Sequence, residues 1–147
     1  MAIFSEEEQD AIARAIEQAE KHTSGEIRIA IDSHCPGDAF ETATRHFEEL
    51  NMHRTVERNG VLIYLAFDDH KFAIIGDRGI DQRVPPDFWE STKNLMRDYF
   101  IKGQLTDGIV AGIKLAGEKL SIFFPSKNDY TNELPNEVVF LNSDKTE

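Results

Sequence analysis

The chain is poor in cysteine, in basic charge and in long apolar runs, and each shortage removes a class of function. A single cysteine, Cys35, allows no intrachain disulfide and cannot build a structural zinc site, so a reducing compartment suits it. No apolar segment approaches the roughly 20 residues that a membrane-crossing helix needs. The opening residues, MAIFSEEEQD, lack the basic region and apolar stretch of a secretory leader, and a cytoplasmic location is therefore expected. Lys and Arg number 16 against 27 Asp and Glu, for a formal net charge of -11. Nucleic acid is excluded as a partner, because binding a phosphate backbone depends on cationic side chains displacing counterions. The same field draws cations.

Several catalytic signatures are also missing. Gly76-Asp77-Arg78-Gly79 has neither the length nor the lysine of a phosphate-binding loop, and no G-x-S-x-G elbow occurs. The five histidines (His22, His34, His46, His53 and His70) show no zinc-type spacing. His34 and Cys35 are adjacent in a loop, where neighbouring side chains seldom point at each other.

What is present describes one globular domain. At 147 residues, 40% hydrophobic and 29% charged, the chain is long enough to bury a sizeable core. Ser5 and Glu8 form a capping-box pattern ahead of a helix whose stripe is Ile12, Ala15, Ile16 and Ala19. EIRIAID alternates with period two, placing Ile27, Ile29 and Ile31 on one face of a strand. A second helix follows, with Phe40, Ala43, Phe47 and Leu50 on one side. VLIYLAF then reads as a strand buried on both faces, parallel to the first. The polar break DDHK before FAIIG is short enough only for an antiparallel hairpin.

A third helix carries Phe88, Trp89, Leu95, Met96, Tyr99 and Phe100, and a fourth, capped by Thr106 or Asp107, runs to about Ile122. The expected architecture is α/β: a three-layer α/β/α sandwich with a short mixed sheet and helices on both faces. Residues 1–125 form the domain. The polar tail, 126–147, contains EVVFL, which docks as an edge strand or stays mobile.

Acidic residues gather at the strand ends. Asp32, Asp68 and Asp69 fall at the carboxyl edge of the parallel pair, the usual binding edge of open α/β sheets. Asp107 joins them if the third helix runs back along the sheet, whereas Glu26 and Asp77 belong to the opposite edge. Clustered carboxylates raise one another's pKa or gather a hard cation. Flexible loop oxygens suit calcium better than magnesium, which keeps more of its water. Each of these acids also has an ordinary role: Asp68 and Asp69 as turn residues, Asp107 as a helix cap, Asp77 as a partner for Arg78 or Arg83.

Three segments in order, TSGEIRIAI, RNGVLIYLAFDDHKFAIIGDRGID and YFIKGQLTDGIVAGI, resemble the TPM-domain family from about Ser5 to Leu120. The chain looks like a stand-alone bacterial TPM domain, related to phosphatase-like proteins of photosystem II repair in the thylakoid lumen. The resemblance implies a Rossmann-like sandwich, an acidic cleft, divalent-cation binding and, for the plant branch, acid phosphatase activity. By position it singles out Asp68 and Asp69 in the hairpin turn, Asp77 to Asp81 at the strand exit, and Asp107-Gly108. Asp77 and Arg78 stand where the family usually has Gly and Tyr. Many relatives carry a leader and a membrane anchor, and neither is seen here.

The resulting expectation is a calcium- or magnesium-binding module, calcium favoured, acting through an unknown protein partner. Its ligands are drawn from Asp68, Asp69, Asp77, Asp81 and Asp107, with Gly79 permitting close backbone approach by a ligand. The alternative is a metal-assisted acid phosphatase acting on phosphate monoesters, for which no catalytic residue is identified.

Overall fold

The computed structural model describes residues 3–126 and 138–141. Its centre is the strand predicted from the alternation in EIRIAID. β1 (Glu26–Asp32) lies parallel to β2 (Gly60–Ala66), with Glu26 opposite Gly60 and Asp32 opposite Ala66. β3 (Lys71–Gly76) returns antiparallel along β2. β4 (Val139–Phe140) adds to the other flank of β1 in parallel, and the Leu141 N–H donates to the Ile31 carbonyl at 2.7 Å. Among the described residues, the order β3-β2-β1-β4 leaves only β1 and β2 flanked on both sides.

Among the described residues, five helices surround this sheet: α1 (Glu6–Glu20), α2 (Ala39–Glu49), α3 (Arg78–Asp81), α4 (Glu90–Ile101) and α5 (Leu105–Phe123). The strand period of two sorts the apolar side chains into two cores. Ile27, Ile29, Ile31, Val61, Ile63 and Leu65 face Ile12 and Ile16 of α1, Met96 of α4, and Ile109, Ile113 and Leu120 of α5. Ala30, Leu62, Tyr64 and Ala66 face Ala43 and Phe47 of α2 and Met52 of a short 3-10 turn. Helices therefore cover both faces, giving the three-layer α/β/α arrangement. Burying each of the larger aliphatic side chains contributes about 1.5–3 kcal/mol, so the thicker α1/α4/α5 layer carries most of the stabilisation.

Local chemistry sets the helix ends. The capping box at the start of α1 forms in full: Glu8 N–H donates to Ser5 Oγ at 3.0 Å, and Ser5 N–H to Glu8 Oε1 at 2.9 Å. The cap expected at Thr106 or Asp107 is corrected. α5 begins at Leu105, with Gln104 in the cap position making no side-chain bond. The Thr106 hydroxyl instead donates to Glu8 Oε2 at 2.9 Å, tying the start of α5 to the start of α1. Between α4 and α5 the chain reverses through Gly103, whose φ of 76° is the left-handed conformation that glycine adopts without strain. Phe40, expected on the buried face of α2, stays exposed in its first turn.

Candidate functional site

The exits of β1 and β2 lie side by side. Pairing continues past the sheet, since Phe67 N–H donates to the Asp32 carbonyl at 3.0 Å and Asp68 N–H to the Ser33 carbonyl at 2.9 Å. This holds the β2–β3 turn, Phe67 to His70, against the loop that follows β1. His70 takes a φ of 57° to close the turn.

Asp69 uses both oxygens on that loop. One accepts from the Cys35 N–H at 2.6 Å, and the other lies 3.1 Å from His34 Nδ1. The opposite ring nitrogen, His34 Nε2, is 3.7 Å from Asp68 Oδ2, so one imidazole stands between two carboxylates. The Lys71 ammonium donates to the carbonyls of Cys35 and Gly37, each at 2.8 Å, and pins the loop from its other side. The Cys35 amide first, and His34 after it, hold the Asp69 carboxyl below the usual carboxylate range.

Asp32 is buried beneath this turn. It accepts from the Tyr64 hydroxyl at 3.0 Å and from the Ser33 N–H at 3.1 Å. Burial, and then the charge of Asp32, push the Tyr64 hydroxyl far above the ordinary phenol range, so it stays a donor. Asp107 is exposed in the first turn of α5 and lines a cleft of about 450 Å³ with Glu8, Gln104 and Thr106. That cleft shares Ile3, Gly103 and Leu105 with a second one, which Asp68 lines. The fold thus returns Asp107 to the carboxyl edge.

Asp77 and Asp81 are placed elsewhere. β3 carries the chain to the opposite edge, where Asp77 N–H donates to the Gly60 carbonyl at 3.0 Å. Asp77 is only 6% exposed, and its carboxylate is spent within the protein. It accepts Arg58 Nε at 2.8 Å and Arg58 Nη2 at 3.0 Å, and also the Arg78 N–H at 2.7 Å. The partner is therefore Arg58, not Arg78 or Arg83, because the turn before β2 packs against the exit of β3.

Gly79 does allow a close backbone approach, but to the protein's own chain. A Cβ there would lie 2.2 Å from the Glu57 carbonyl oxygen and 2.5 Å from that of Arg58. Asp81 follows in the one-turn helix α3, and the protein mass around its carboxyl, then the charge of Asp77, push it up. The five acids consequently divide between the two edges. Among the described residues, no three or more His, Cys, Asp or Glu side chains form a set that could hold a metal ion as they stand.

Of two residues central to these arrangements, Arg58 was not singled out from sequence, and His34 was weighed only as a neighbour of Cys35, not as a partner of Asp68 and Asp69. His34 could have been found from its place directly after a parallel strand, the usual binding edge. Arg58 sits 19 residues before Asp77, and only the sheet register brings the two together.

The fold and its carboxyl-edge loops define an α/β/α sandwich with an acidic turn over the parallel pair. The TPM domain model matches residues 1–119, and the chain belongs to the TPM-domain family. Among solved structures it is similar to the BA42 protein of the psychrophilic bacterium Bizionia argentinensis. The two are 42% identical with a TM-score of 0.91, covering 95% of this chain and 97% of that one. The N-terminal domain of the cg2496 protein of Corynebacterium glutamicum shares the fold at 12% identity and a TM-score of 0.65, covering 88% and 79% of the two chains. No curated protein matches the chain. No described helix is long and apolar enough to cross a membrane.

Proposed function

We propose that the protein is a divalent-cation-binding TPM module whose primary ligands are Asp68 and Asp69, with Asp107 as an outer ligand and calcium favoured over magnesium. One observation carries this reading: two consecutive carboxylates on a single turn both close on His34. A cation entering between them would take the place of the imidazole as the partner of both carboxylates. The oxygens belong to a turn and its facing loop, and this suits the adaptable coordination of calcium. Asp77 is assigned instead to holding the β3 exit onto the turn before β2, and Asp81 lies beside it at that edge.

Action through a protein partner is favoured over catalysis. Phosphate-ester hydrolysis is less well supported, because the one thiol, Cys35, is buried and directed at the Gly37 carbonyl and Thr42 Oγ1. Lys71 likewise spends its ammonium on two backbone carbonyls.

The test is a calcium titration followed by amide NMR on the wild type and on Asp69→Asn. Saturable shifts at Ser33 to Cys35 and Asp68 to His70, weakened at least about tenfold in the variant, are expected. The amides of Asp77 and Asp81 should not move. Shifts spread over all acidic residues without saturation, or equal affinity in Asp69→Asn, would overturn the site. Aryl phosphate turnover that vanishes in a folded Asp69→Asn, Asp107→Asn double variant would replace the reading with the phosphatase.

A further inference from the structure

We infer that the cleft between α4 and the β2–β3 turn binds a small amphipathic carboxylate, an aryl or alkyl acid with its charged end at Arg97. The cleft measures about 390 Å³, within the roughly 300–1,000 Å³ typical of small-molecule pockets. Leu65, Phe67 and Phe72 line it from the sheet and turn, Phe100 and Ile101 from α4, and Leu105 from α5. Phe72 and Phe100 meet edge to face at 5.1 Å, presenting an aromatic wall. Ile101 is 76% exposed at the lip, an apolar side chain left in water beside an apolar hollow.

The cation is the second element. In a chain of net charge -11, Arg97 and His70 both line this cleft, and both also line a neighbouring one with Lys71. Among the described residues, the hydrogen bond of the exposed Arg97 runs from Nη1 to the neutral Asn94 side chain at 3.0 Å. The guanidinium therefore keeps donors for an incoming anion. Lys71 adds charge but not contact, since two carbonyls hold its ammonium.

Acidic neighbours set the ligand's charge. Asp68 also lines the cleft, and Asp38 lines the neighbouring one while capping α2 through the Glu41 N–H. A phosphate dianion would meet both carboxylates. A monoanionic carboxylate fits the planar guanidinium fork and confines its charge to Arg97. The apolar body then lies on Phe72, Phe100 and Leu105. This site does not rest on cation binding at Asp68 and Asp69.

The experiment titrates the full chain with 4-phenylbutanoate in the presence of EDTA, with 4-phenylbutanol as the neutral control, read by amide NMR. Saturable shifts at Phe72, Phe100, Ile101 and Leu105 are expected. Affinity should fall about tenfold for the alcohol, and as much for the acid on Arg97→Gln, an exposed position whose melting curve should match the wild type. No saturation at millimolar acid would overturn the inference, as would equal binding of acid and alcohol or unchanged affinity in Arg97→Gln. Binding that appears only after calcium is added would put the carboxylate on the ion and overturn it as well.

Discussion

Replacing Gly79 by alanine tests whether the bend after β3 belongs to the fold or to a ligand. The added Cβ would sit 2.2 Å from one carbonyl oxygen and 2.5 Å from the next, both backbone atoms of Glu57 and Arg58. Ordinary contact would require one segment to retreat by about 1 Å, since overpacked groups relieve strain only by moving backbone. Retreat is resisted on both sides. Gly79 N–H donates to the Arg58 carbonyl at 2.9 Å, and Arg58 itself is held in the left-handed region at a φ of 52°.

Overpacking costs about 1–3 kcal/mol and loss of that hydrogen bond about 1 kcal/mol more, so a net loss of roughly 2–4 kcal/mol is expected. For a domain of this size that corresponds to a fall in Tm of roughly 8–15 °C, measured by circular dichroism. Calcium affinity of the folded variant should be unchanged. A Tm within about 2 °C of wild type would refute the packing argument. Lost calcium affinity with an intact fold would return the bend to a ligand site.

Two further outcomes follow from the same geometry. Asp77→Asn keeps one oxygen, which can still accept from the Arg78 N–H and Arg58 Nη2, whereas Asp77→Ala keeps none, so thermal melts should show alanine clearly the more damaging. Equal losses would mean that the hydrogen bonds asparagine keeps are idle and that the charge paired with Arg58 carries the whole effect. The folded-state pKa of Asp69 lies below its ordinary value of 3.8, so its stabilising contribution is full above that pH and is lost as pH falls through the lower folded value. Melts of wild type and Asp69→Asn between pH 6 and pH 2 should therefore converge on the acid side; a difference that grows there would contradict the assigned hydrogen bonds.

Periodicity made the layers legible before any coordinates. The isoleucines of EIRIAID fall on one face of β1, the apolar run forms β2, and the short polar break is the hairpin turn. These signals are local, and burial of the alternating faces enforces them. The placement of Asp68, Asp69 and Asp107 at the carboxyl edge also followed, because it depends only on strand direction and on α4 running back.

The exit of β3 was not readable in the same way. Gly-Asp-Arg-Gly has the composition of a binding loop, but the same residues serve a one-turn helix when an arginine waits across the sheet. Nothing between Arg58 and Asp77 in sequence advertises that pairing. The cap of α5 failed for a related reason: the helix starts one residue earlier, at Leu105, and the Thr106 hydroxyl donates to the distant Glu8 instead of accepting from a local backbone N–H.

The position of β4 bears on how the molecule is made. β1 is synthesised early, yet its outer flank is matched by residues 139–141, which leave the ribosome long after it. At roughly 5–20 residues per second, that flank stands bare for about 5–20 s while the residues between β1 and β4 are made. During this interval two nascent copies could zip together along β1, and the docking of residues 139–141 is what shuts that route.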